Sequence, residues 1–508
     1  MNRNVLSYLE QSTEKFPNKC AVADADNSFT YQQLLEKSSS IGTALSGLIN
    51  VGEAVGIYME KNAETVAAFL GTAYAGGFYS VLNNELPKSR LLQIVSVLKP
   101  KVIVTSRSLL EAAKDILSGE TIVTVEELAA LKPDSKCLED IRRRVIDTDP
   151  LYVNFTSGST GTPKGIVVCH RSVIDFIENF TQIFNITDED IIANQAPFDF
   201  DVSVKDIYSS LKSGATLVIV PRYMFSAPTE LIDFLCSRKV TTMIWAVSAL
   251  CLISTFHALD YKTPETVNKI LFSGEVMPLK ALKNFQTHLP KAVYVNLYGP
   301  TEITCNCTYH ILDNNRDYSN GIPIGKAFPN EDVFLLNEEN QRIAEKEQVG
   351  EICVRGSALA LGYYCAPQQN EKAFVQNPLN TRYPETIYKT GDLGKYNENG
   401  ELVFSGRKDF QIKYMGHRIE LEEIEREMSS VYGVEQCCCI FDEKKSRLKG
   451  FYVGSIEKDS LHSAMSDKLP AFMIPGIIRK LDQMPLTKNG KIDRKCLAEL
   501  KGGRKNEY

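Results

Sequence analysis

Segment 156–165 combines the groups that bind phosphate, in the string T-S-G-S-T-G-T-P-K-G. Its polar side chains include Thr156, Ser157, Ser159, Thr160 and Lys164, and its glycines are Gly158, Gly161 and Gly165. Glycines permit turns in which backbone N–H groups converge on an anion, and the lysine adds a full positive charge. The pattern indicates a phosphate-binding loop. On composition alone, a surface turn rich in glycine and hydroxyls has comparable weight.

Apolar runs lie on both sides of this segment. Leu151–Phe155 precedes it and Ile166–Cys169 follows it, which predicts two strands joined by a polar loop. The spacing differs from G-x-x-x-x-G-K-S/T and no helix follows at once, so the segment is not a Walker loop.

Strand and helix patterns alternate along the chain. Residues 4–17 and 171–184 predict helices, whereas 55–58 and 102–105 predict strands. Thr30 is placed to cap the helix that follows it. This alternation predicts an α/β layered fold with mostly parallel sheets.

A second chemical candidate is Asp201, in the string Phe200-Asp201-Val202-Ser203. From the residues alone, a carboxylate there can be the N-cap of a helix over 204–211. Asp199 is a rival for that position.

Size, charge and cysteine content exclude several classes of protein. At 508 residues the chain should hold more than one domain. Its net charge is −6 and it has no long basic block, so nucleic acid is not an expected partner. No apolar run is long enough to span a bilayer, and the amino terminus lacks the apolar core of a secretory signal. We therefore expect a protein that is not membrane-embedded.

The thirteen cysteines then indicate reduced thiols in the cytoplasm. Cys305 and Cys307 have no second pair at zinc spacing, so no zinc site is predicted. The apolar run around 437–439 predicts a buried strand.

Further strings occur in the order found in one superfamily. They are Phe29–Leu34, Asn296–Glu302 (N-L-Y-G-P-T-E), Tyr388–Leu393 (Y-K-T-G-D-L), Gly406–Leu421, Leu469–Pro475 and Asn489–Arg494 (N-G-K-I-D-R). With segments 156–165 and 200–203 they resemble the motifs of the adenylate-forming (AMP-binding) enzymes. The nearest resemblance is to nonribosomal peptide synthetase adenylation domains and D-alanine–carrier protein ligases. Two departures are Lys389 in place of arginine and Phe472 in place of tyrosine.

The resemblance implies an α/β fold with two parts. A large N-terminal domain of layered α/β subdomains, with a β-rich subdomain, carries a small mobile C-terminal α/β domain. We therefore predict an ATP- and substrate-binding core over 1–408, a mobile domain over 409–500 and a tail over 501–508, with Asp409 as the hinge.

The resemblance also assigns a nucleotide site. It implies that Tyr298 stacks on adenine, Asn296 bonds the adenine edge, and Asp392 accepts hydrogen bonds from the ribose near Arg407. Lys491, Thr156 and Glu302 are the implied catalytic residues, and Glu302 is the implied Mg²⁺ ligand. The whole implied ATP site is Thr156, Ser157, Gly158, Ser159, Thr160, Lys164, Gly274, Glu275, Asn296, Tyr298, Gly299, Thr301, Asp392, Arg407 and Lys491.

Carrying over the family's substrate pocket gives nine positions. They are Asp201, Val202, Lys205, Trp245, Leu271, Ser273, Leu297, Cys305 and Asn306. The resemblance implies that Asp201 holds the substrate ammonium, a buried cation that must be paired, and Asp199 is a rival for this role. The bulk of Trp245 is expected to shorten the pocket, which favours a small amino acid, alanine or serine. An acidic amino acid ranks second, because Lys205 would need a counter-charge if it points inward. Pointing outward, it would be a solvated lysine.

The implied reaction has two halves. An amino-acid carboxylate attacks the α-phosphate of ATP, which gives aminoacyl-AMP and pyrophosphate, and a carrier protein's phosphopantetheine thiol then takes the aminoacyl group. An acyl- or aryl-CoA synthetase is the alternative, against which Asp201 and Asp409 stand. A nucleotide-binding regulator without catalysis is a further rival, against which Lys164 and Lys491 stand. The chain is predicted to be either a stand-alone ligase or an excised domain.

Overall fold

The computed structural model describes residues 3–156, 163–442, 445–487 and 492–500. Strands and helices alternate through the first half of the chain, as predicted. The strands are Cys20–Ala23 (β1), Ser28–Thr30 (β2), Ala54–Tyr58 (β3), Phe78–Val81 (β4), Val102–Thr105 (β5), Ile122–Thr124 (β6), Pro150–Thr156 (β7), Lys164–Cys169 (β8), Ile191–Asn194 (β9), Thr216–Ile219 (β10), Thr242–Ala246 (β11), Lys269–Ser273 (β12), Val293–Tyr298 (β13), Thr308–Ile311 (β14), Lys326–Ala327 (β15), Glu331–Leu336 (β16), Arg342–Ile343 (β17), Gly350–Gly356 (β18), Gly362–Tyr363 (β19), Phe374–Gln376 (β20), Thr386–Tyr396 (β21), Leu402–Arg407 (β22), Gln411–Tyr414 (β23), His417–Glu420 (β24), Val434–Asp442 (β25), Arg447–Gly454 (β26) and Ile477–Lys480 (β27).

The helices lie before, between and after these strands in the sequence. They are Leu6–Lys15 (α1), Tyr31–Ser46 (α2), Ala63–Tyr74 (α3), Lys88–Leu98 (α4), Leu110–Ile116 (α5), Val125–Ala129 (α6), Ser135–Arg144 (α7), His170–Ile183 (α8), Val202–Ser213 (α9), Pro228–Ser237 (α10), Val247–Thr255 (α11), Ala258–Tyr261 (α12), Leu279–His288 (α13), Pro367–Ala373 (α14), Leu421–Ser429 (α15), Lys458–Ser466 (α16) and Arg494–Glu499 (α17). Short 3-10 turns occur at Arg222–Ser226, Thr301–Ile303 and Ala471–Met473. Among the described residues, none of these helices combines the length and the apolarity that a bilayer crossing requires.

The chain divides into two compact units. The first comprises the described residues of Met1–Asn84, Val95–Phe155 and Lys164–Lys408. The second comprises those of Glu85–Ile94, Thr156–Pro163 and Asp409–Tyr508.

Two largely parallel sheets organise the first unit. The nine-stranded sheet has the order β15-β14-β13-β12-β11-β9-β10-β1-β2, in which the strands from β13 to β1 run parallel. The seven-stranded sheet has the order β19-β8-β7-β4-β3-β5-β6. A third, six-stranded sheet around β18 and β21 is antiparallel and forms the predicted β-rich part.

Two hydrophobic cores pack on opposite faces of the nine-stranded sheet. Ile244, Leu271 and Leu297 belong to the core that includes α9, whereas Trp245 and Phe272 belong to the core that includes α10–α13. This division follows from the alternation of side chains along each strand. The sheet therefore holds the residues after β12 and β13 in fixed positions relative to α9.

Local capping explains where α2 begins. Thr30 Oγ1 accepts a hydrogen bond from the backbone N–H of Gln33, and the Gln33 side chain accepts one from the N–H of Thr30. This reciprocal pair satisfies two N–H groups that have no partner within the helix. The predicted cap at Thr30 is confirmed.

The second unit has its own small sheets and core. β23 and β24 form a hairpin, and β25-β26-β27 form a three-stranded sheet. Ile424, Met428 and Leu461 on α15 and α16 pack in its core. The predicted buried strand around Cys437–Cys439 is confirmed as β25, and all thirteen cysteines are free thiols.

Candidate active site

The predicted phosphate loop joins β7 to β8. Thr156 is the last residue of β7 and Lys164 is the first residue of β8, so the two predicted flanking strands are present. Ser157, Gly158, Ser159 and Thr160 lie outside the described residues, and so does Lys491. Their assigned roles stay predictions.

Lys164 and the predicted metal ligand, Glu302, both lie next to Tyr363. The Nζ of Lys164 is 5.9 Å from the ring centroid of Tyr363, whose hydroxyl donates a 2.7 Å hydrogen bond to Glu302 Oε1. Glu302 is 1% exposed. Tyr363 was not among the predicted site residues, because no local pattern marks a tyrosine that bonds a carboxylate 61 positions away. Here it positions the carboxylate of Glu302.

Tyr298, Asp392 and Arg407, three of the residues predicted for the nucleotide site, form one cluster. Tyr298 Oη donates to Asp392 Oδ2 at 2.6 Å, and Arg407 forms an ion pair with Asp392 Oδ1. Arg407 faces Asp392 because β21 and β22 pair in that register. Burial and the neighbouring Asp392 carboxylate raise the pKa of Tyr298 well above its usual value, so its hydroxyl stays a donor.

The other residues of the N-L-Y-G-P-T-E string lie beside this cluster. Asn296 Nδ2 donates to the carbonyl of Pro323 at 2.9 Å. A Cβ on Gly299 would come within 2.5 Å of Asn306 Cα, so only glycine allows this close approach of two backbones. Thr301 begins the 3-10 turn that contains Glu302.

The predicted Gly274-Glu275 pair follows directly from β12. Gly274 has φ +98°, a left-handed conformation that favours glycine. Glu275 is half-buried. The turn brings the chain out of the sheet immediately after Ser273.

Asp201 precedes α9 but does not cap it through its side chain. It has helical angles (φ −59°, ψ −27°) and makes no side-chain cap hydrogen bond. The carboxylate-bearing residue is 9% exposed. Cys305 Sγ donates to its backbone carbonyl at 3.0 Å, and burial raises the pKa of that thiol well above its usual value. Val202, next along the chain, is half-buried.

Lys205 points inward. It is fully buried, and its Nζ donates to Asn306 Oδ1 at 2.8 Å and to Ser273 Oγ at 3.4 Å. The structure therefore brings three of the predicted pocket residues into direct contact. The sequence left the direction of the Lys205 side chain open, and the structure shows that it points inward.

Leu271, Ser273 and Leu297 share the face of the sheet that packs toward α9, but Trp245 does not. Ile244 pairs with Leu271 and Trp245 pairs with Phe272 in the register of β11 and β12. Trp245 is fully buried, its Nε1 donates to the carbonyl of Ala193 at 2.8 Å, and its ring packs against Phe225. Its role in closing the pocket stays a prediction.

Two further charged residues, the buried Asp206 on α9 and the half-buried Lys61, both bond Asn194 at the end of β9. Asp206 Oδ2 accepts from Asn194 Nδ2 at 2.6 Å, and burial raises the pKa of Asp206 to about 7. Lys61 donates to the carbonyls of Asn194, Gln195 and Val220, and burial lowers its pKa to about 7. Sequence reasoning missed both residues because no local pattern marks them as partners of Asn194.

The rival carboxylate, Asp199, has another partner. Its Oδ2 accepts a 3.0 Å hydrogen bond from Asn83 Nδ2, and burial raises its pKa above the usual range. The predicted hinge residue, Asp409, is the first residue after Lys408, and its Oδ1 accepts from the N–H of Gln411 at 3.2 Å.

These residues fit a nucleotide with Mg²⁺. The cluster of Tyr298, Asp392 and Arg407 offers the aromatic face, carboxylate and cation that an adenosine needs. Mg²⁺ is usually held by one or two carboxylates together with waters and substrate phosphates. One buried carboxylate, Glu302, is compatible with that donor set.

Curated relatives cover nearly the whole chain. It is 33% identical over 514 residues to zwittermicin A synthase ZmaJ of Bacillus cereus, across 98% of this chain and 95% of that protein. It is 30% identical over 512 residues to D-alanine–D-alanyl carrier protein ligase of Bacillus licheniformis, across 97% and 99%. It is 31% identical to tyrocidine synthase 1 of Brevibacillus parabrevis and spans 45% of that protein.

Solved structures share the fold. The adenylation domain AlmE of Vibrio cholerae, in complex with glycyl-adenosine-5'-phosphate, superposes with a TM-score of 0.86 at 22% identity, over 98% of both chains. The o-succinylbenzoate CoA synthetase MenE of Bacillus subtilis superposes with a TM-score of 0.83 at 20% identity, over 98% of this chain and 99% of that one. These likenesses confirm the predicted α/β fold class.

Residues 9–364 also match the family described as AMP-binding enzyme, whose members use ATP, generally with Mg²⁺. This match covers most of the chain and includes Lys164, Asp201, Tyr298 and Glu302. The protein therefore belongs to the AMP-binding enzyme family and is an adenylate-forming ligase of the type found in nonribosomal peptide adenylation domains and D-alanine–carrier protein ligases.

Proposed function

We propose that the protein activates an amino acid with ATP and transfers it to the phosphopantetheine thiol of a carrier protein. The observation that carries this proposal is the position of Asp201, a buried carboxylate residue directly before α9. A carboxylate kept from water suits a substrate ammonium. The acids used by acyl-CoA synthetases have no ammonium.

In the first half-reaction, an oxygen of the amino-acid carboxylate attacks the α-phosphate of ATP. The bond to the β-phosphate breaks, pyrophosphate leaves and a mixed anhydride, the aminoacyl adenylate, forms. Asp201 orients the amino acid, while Tyr298, Asp392 and Arg407 orient the adenosine. Thr156, Lys164 and Lys491 stabilise the negative charge that grows on the phosphates, and such positioning and charge stabilisation carry the catalysis. Mg²⁺ held by Glu302 would neutralise further phosphate charge.

In the second half-reaction, the carrier's thiol attacks the carbonyl carbon of the adenylate. A thioester forms, AMP leaves and the thiol proton passes to solvent. We propose that the second unit turns about Asp409 between the two halves, which withdraws Lys491 after the first. The free thiols throughout the chain suit a cytoplasmic site for this chemistry.

ATP–pyrophosphate exchange over a panel of amino acids, fatty acids and aryl acids tests the proposal. We expect exchange with at least one amino acid and none with acids that lack an α-ammonium. Adding either a phosphopantetheinylated carrier protein or coenzyme A then identifies the acceptor thiol. Exchange only with fatty or aryl acids, followed by transfer to coenzyme A, would establish the alternative acyl-CoA synthetase.

A further inference from the structure

We infer that Lys61 is a positioning residue for the amino-acid substrate, because it holds the connecting segment 195–200 that leads from β9 to Asp201. The inference rests on the proposed function, in which Asp201 binds the substrate ammonium. Lys61 lies in the loop between β3 and α3, and its side chain reaches the ends of β9 and β10 in the other sheet. The carboxyl ends of parallel strands are where open α/β sheets bind their ligands.

The ammonium of Lys61 bonds three backbone carbonyls at once. Its Nζ donates to the carbonyl of Gln195 at 2.9 Å, to that of Asn194 at 3.1 Å and to that of Val220 at 3.3 Å. Asn194 is the last residue of β9, and the other two residues directly follow β9 and β10. An ammonium has three N–H donors, so the three carbonyls can use all of them. Lys61 thus fixes the start of the connecting segment from the opposite sheet.

Lys61 also lies beside the middle of the connecting segment. Its Nζ is 5.9 Å from the ring centroid of Phe198, a distance at which an aromatic face attracts a cation. Phe198 is buried, and its ring packs edge-on against Phe69 of α3. Asp201 follows only three residues later, so Lys61 contacts the segment close to the proposed ammonium site.

Asn194 connects the same point to α9, on the far side of Asp201. Its Nδ2 donates to Asp206 Oδ2 at 2.6 Å, while its carbonyl accepts from Lys61 and from the N–H of Val220. Asn194 and Asp206 are both fully buried. The chain is therefore held before Asp201 by Lys61 and after it by Asp206. A carboxylate on a backbone held from both sides is preorganised for an ammonium.

Lys61→Met tests the inference by ATP–pyrophosphate exchange with the full chain. Methionine has a similar length and removes all three carbonyl bonds. We expect the KM for the activated amino acid to rise about 10-fold or more, because a small displacement of a positioning group is enough to produce such a loss. The KM for ATP should stay within a few-fold of the unmodified protein.

Lys19→Met is the matched control. Lys19 is also half-buried, and its Nζ donates to the backbone carbonyls of Asp188 and Gly214. Gly214 is the C-cap of α9, at the opposite end of the helix from Asp201. Thermal unfolding compares the stability that each variant loses. We expect Lys19→Met to lower the melting temperature without raising the KM for the amino acid.

A double-mutant cycle with Asp201→Asn separates positioning from a general weakening of the fold. If Lys61 acts through Asp201, Lys61→Met should raise the amino-acid KM by less than about 3-fold in the Asp201→Asn background, because the effects of coupled residues do not add. Lys61→Gln keeps an N–H donor group on a shorter side chain. It replaces Lys61→Met in the same cycle if that variant does not fold, with a smaller expected rise in the amino-acid KM.

Three results would overturn positioning by Lys61 and leave amino-acid activation intact. They are an equal rise in the KM for ATP and for the amino acid, an equal effect of Lys19→Met, and full additivity in the cycle. Exchange with no amino acid by the unmodified protein would remove the proposed function as well.

Discussion

Tyr298 and Asp392 lie 94 positions apart and on different sheets, yet Tyr298 Oη donates a 2.6 Å hydrogen bond to Asp392 Oδ2. Arg407 holds the other oxygen of the same carboxylate. The carboxylate is thus fixed from both sides, by the end of β13 and by the strand beside β21. If Asp392 binds the ribose as proposed, a carboxylate fixed in this way loses little freedom on binding.

Tyr298→Phe keeps the ring and removes this hydrogen bond. A hydrogen bond to a charged, buried group contributes about 1.5–3 kcal/mol, so we expect the KM for ATP to rise about 10-fold or more. The KM for the amino acid should stay nearly constant. Tyr294→Phe is the control, because it removes a buried hydroxyl from the same strand, where Oη bonds the carbonyl of Leu289. Equal effects from both variants would contradict a specific role in binding ATP.

Asp201→Asn should weaken amino-acid binding selectively. It leaves a buried substrate ammonium with a neutral partner, a loss that typically reaches about 2–5 kcal/mol. We therefore expect the KM for the amino acid to rise about 100-fold, with the KM for ATP within a few-fold of wild type. Asp199→Asn should not show this selectivity, since Asp199 bonds Asn83. If ATP and amino acid weaken together, Asp201 has a structural role.

Lys491→Ala should slow adenylate formation by about 10²–10³-fold, the usual effect of losing one donor to a charged transition state. Thioester formation from adenylate supplied in advance should continue. Single-turnover measurements of each half-reaction separate the two. Lys480→Ala, on β27, is a suitable control because its Nζ pairs with Glu457 near the surface. Normal adenylation together with loss of transfer would show that Lys491 acts in thioester formation and not in adenylation.

Asp409→Pro should uncouple the two halves. Proline restricts φ at the predicted hinge, so adenylation should proceed while transfer to the carrier slows. Asp409→Ala removes the side-chain bond to the Gln411 N–H and leaves φ unrestricted, and we expect it to transfer normally. Rapid transfer by the proline variant would show that the rotation occurs elsewhere.

His170 should make the fold sensitive to acid. Burial lowers its pKa to about 3, and its Nδ1 accepts a weak 3.5 Å hydrogen bond from the N–H of Val5. The unfolded chain binds the proton at an ordinary pKa near 6.5, so the contribution of His170 is complete above that pH. It falls by about 1.4 kcal/mol per unit as pH drops toward 3.

His170→Gln should reduce this dependence. Denaturant unfolding at several pH values between 7 and 4 measures the slope of the free energy of unfolding for both proteins. An unchanged slope in the variant would mean that carboxyl groups account for the whole effect.

The sequence predicted the elements with local signals. The cap at Thr30, the strands on both sides of the phosphate loop and the buried strand at 437–439 all follow from residue type and short-range periodicity. The same is true of the α/β class. These features depend on neighbours within one or two turns of chain.

Side-chain direction could not be predicted in the same way. Whether Lys205 points inward depends on the rotation of α9 against the nine-stranded sheet. The residues at the start of the helix do not indicate that rotation. The face of the sheet that the Trp245 side chain occupies depends on the register of β11, because a shift of one residue would turn it to the opposite face. The contact of Tyr298 with Asp392 requires the packing of two sheets.

The placement of Trp245 has a practical consequence for spectroscopy. As the one tryptophan of the chain, it is the only indole fluorophore, and it lies in an apolar core on the face of the sheet away from Leu271 and Ser273. Its emission should be blue-shifted in the folded protein and move to longer wavelength when the sheet opens. Intrinsic fluorescence therefore reports the integrity of the nine-stranded sheet.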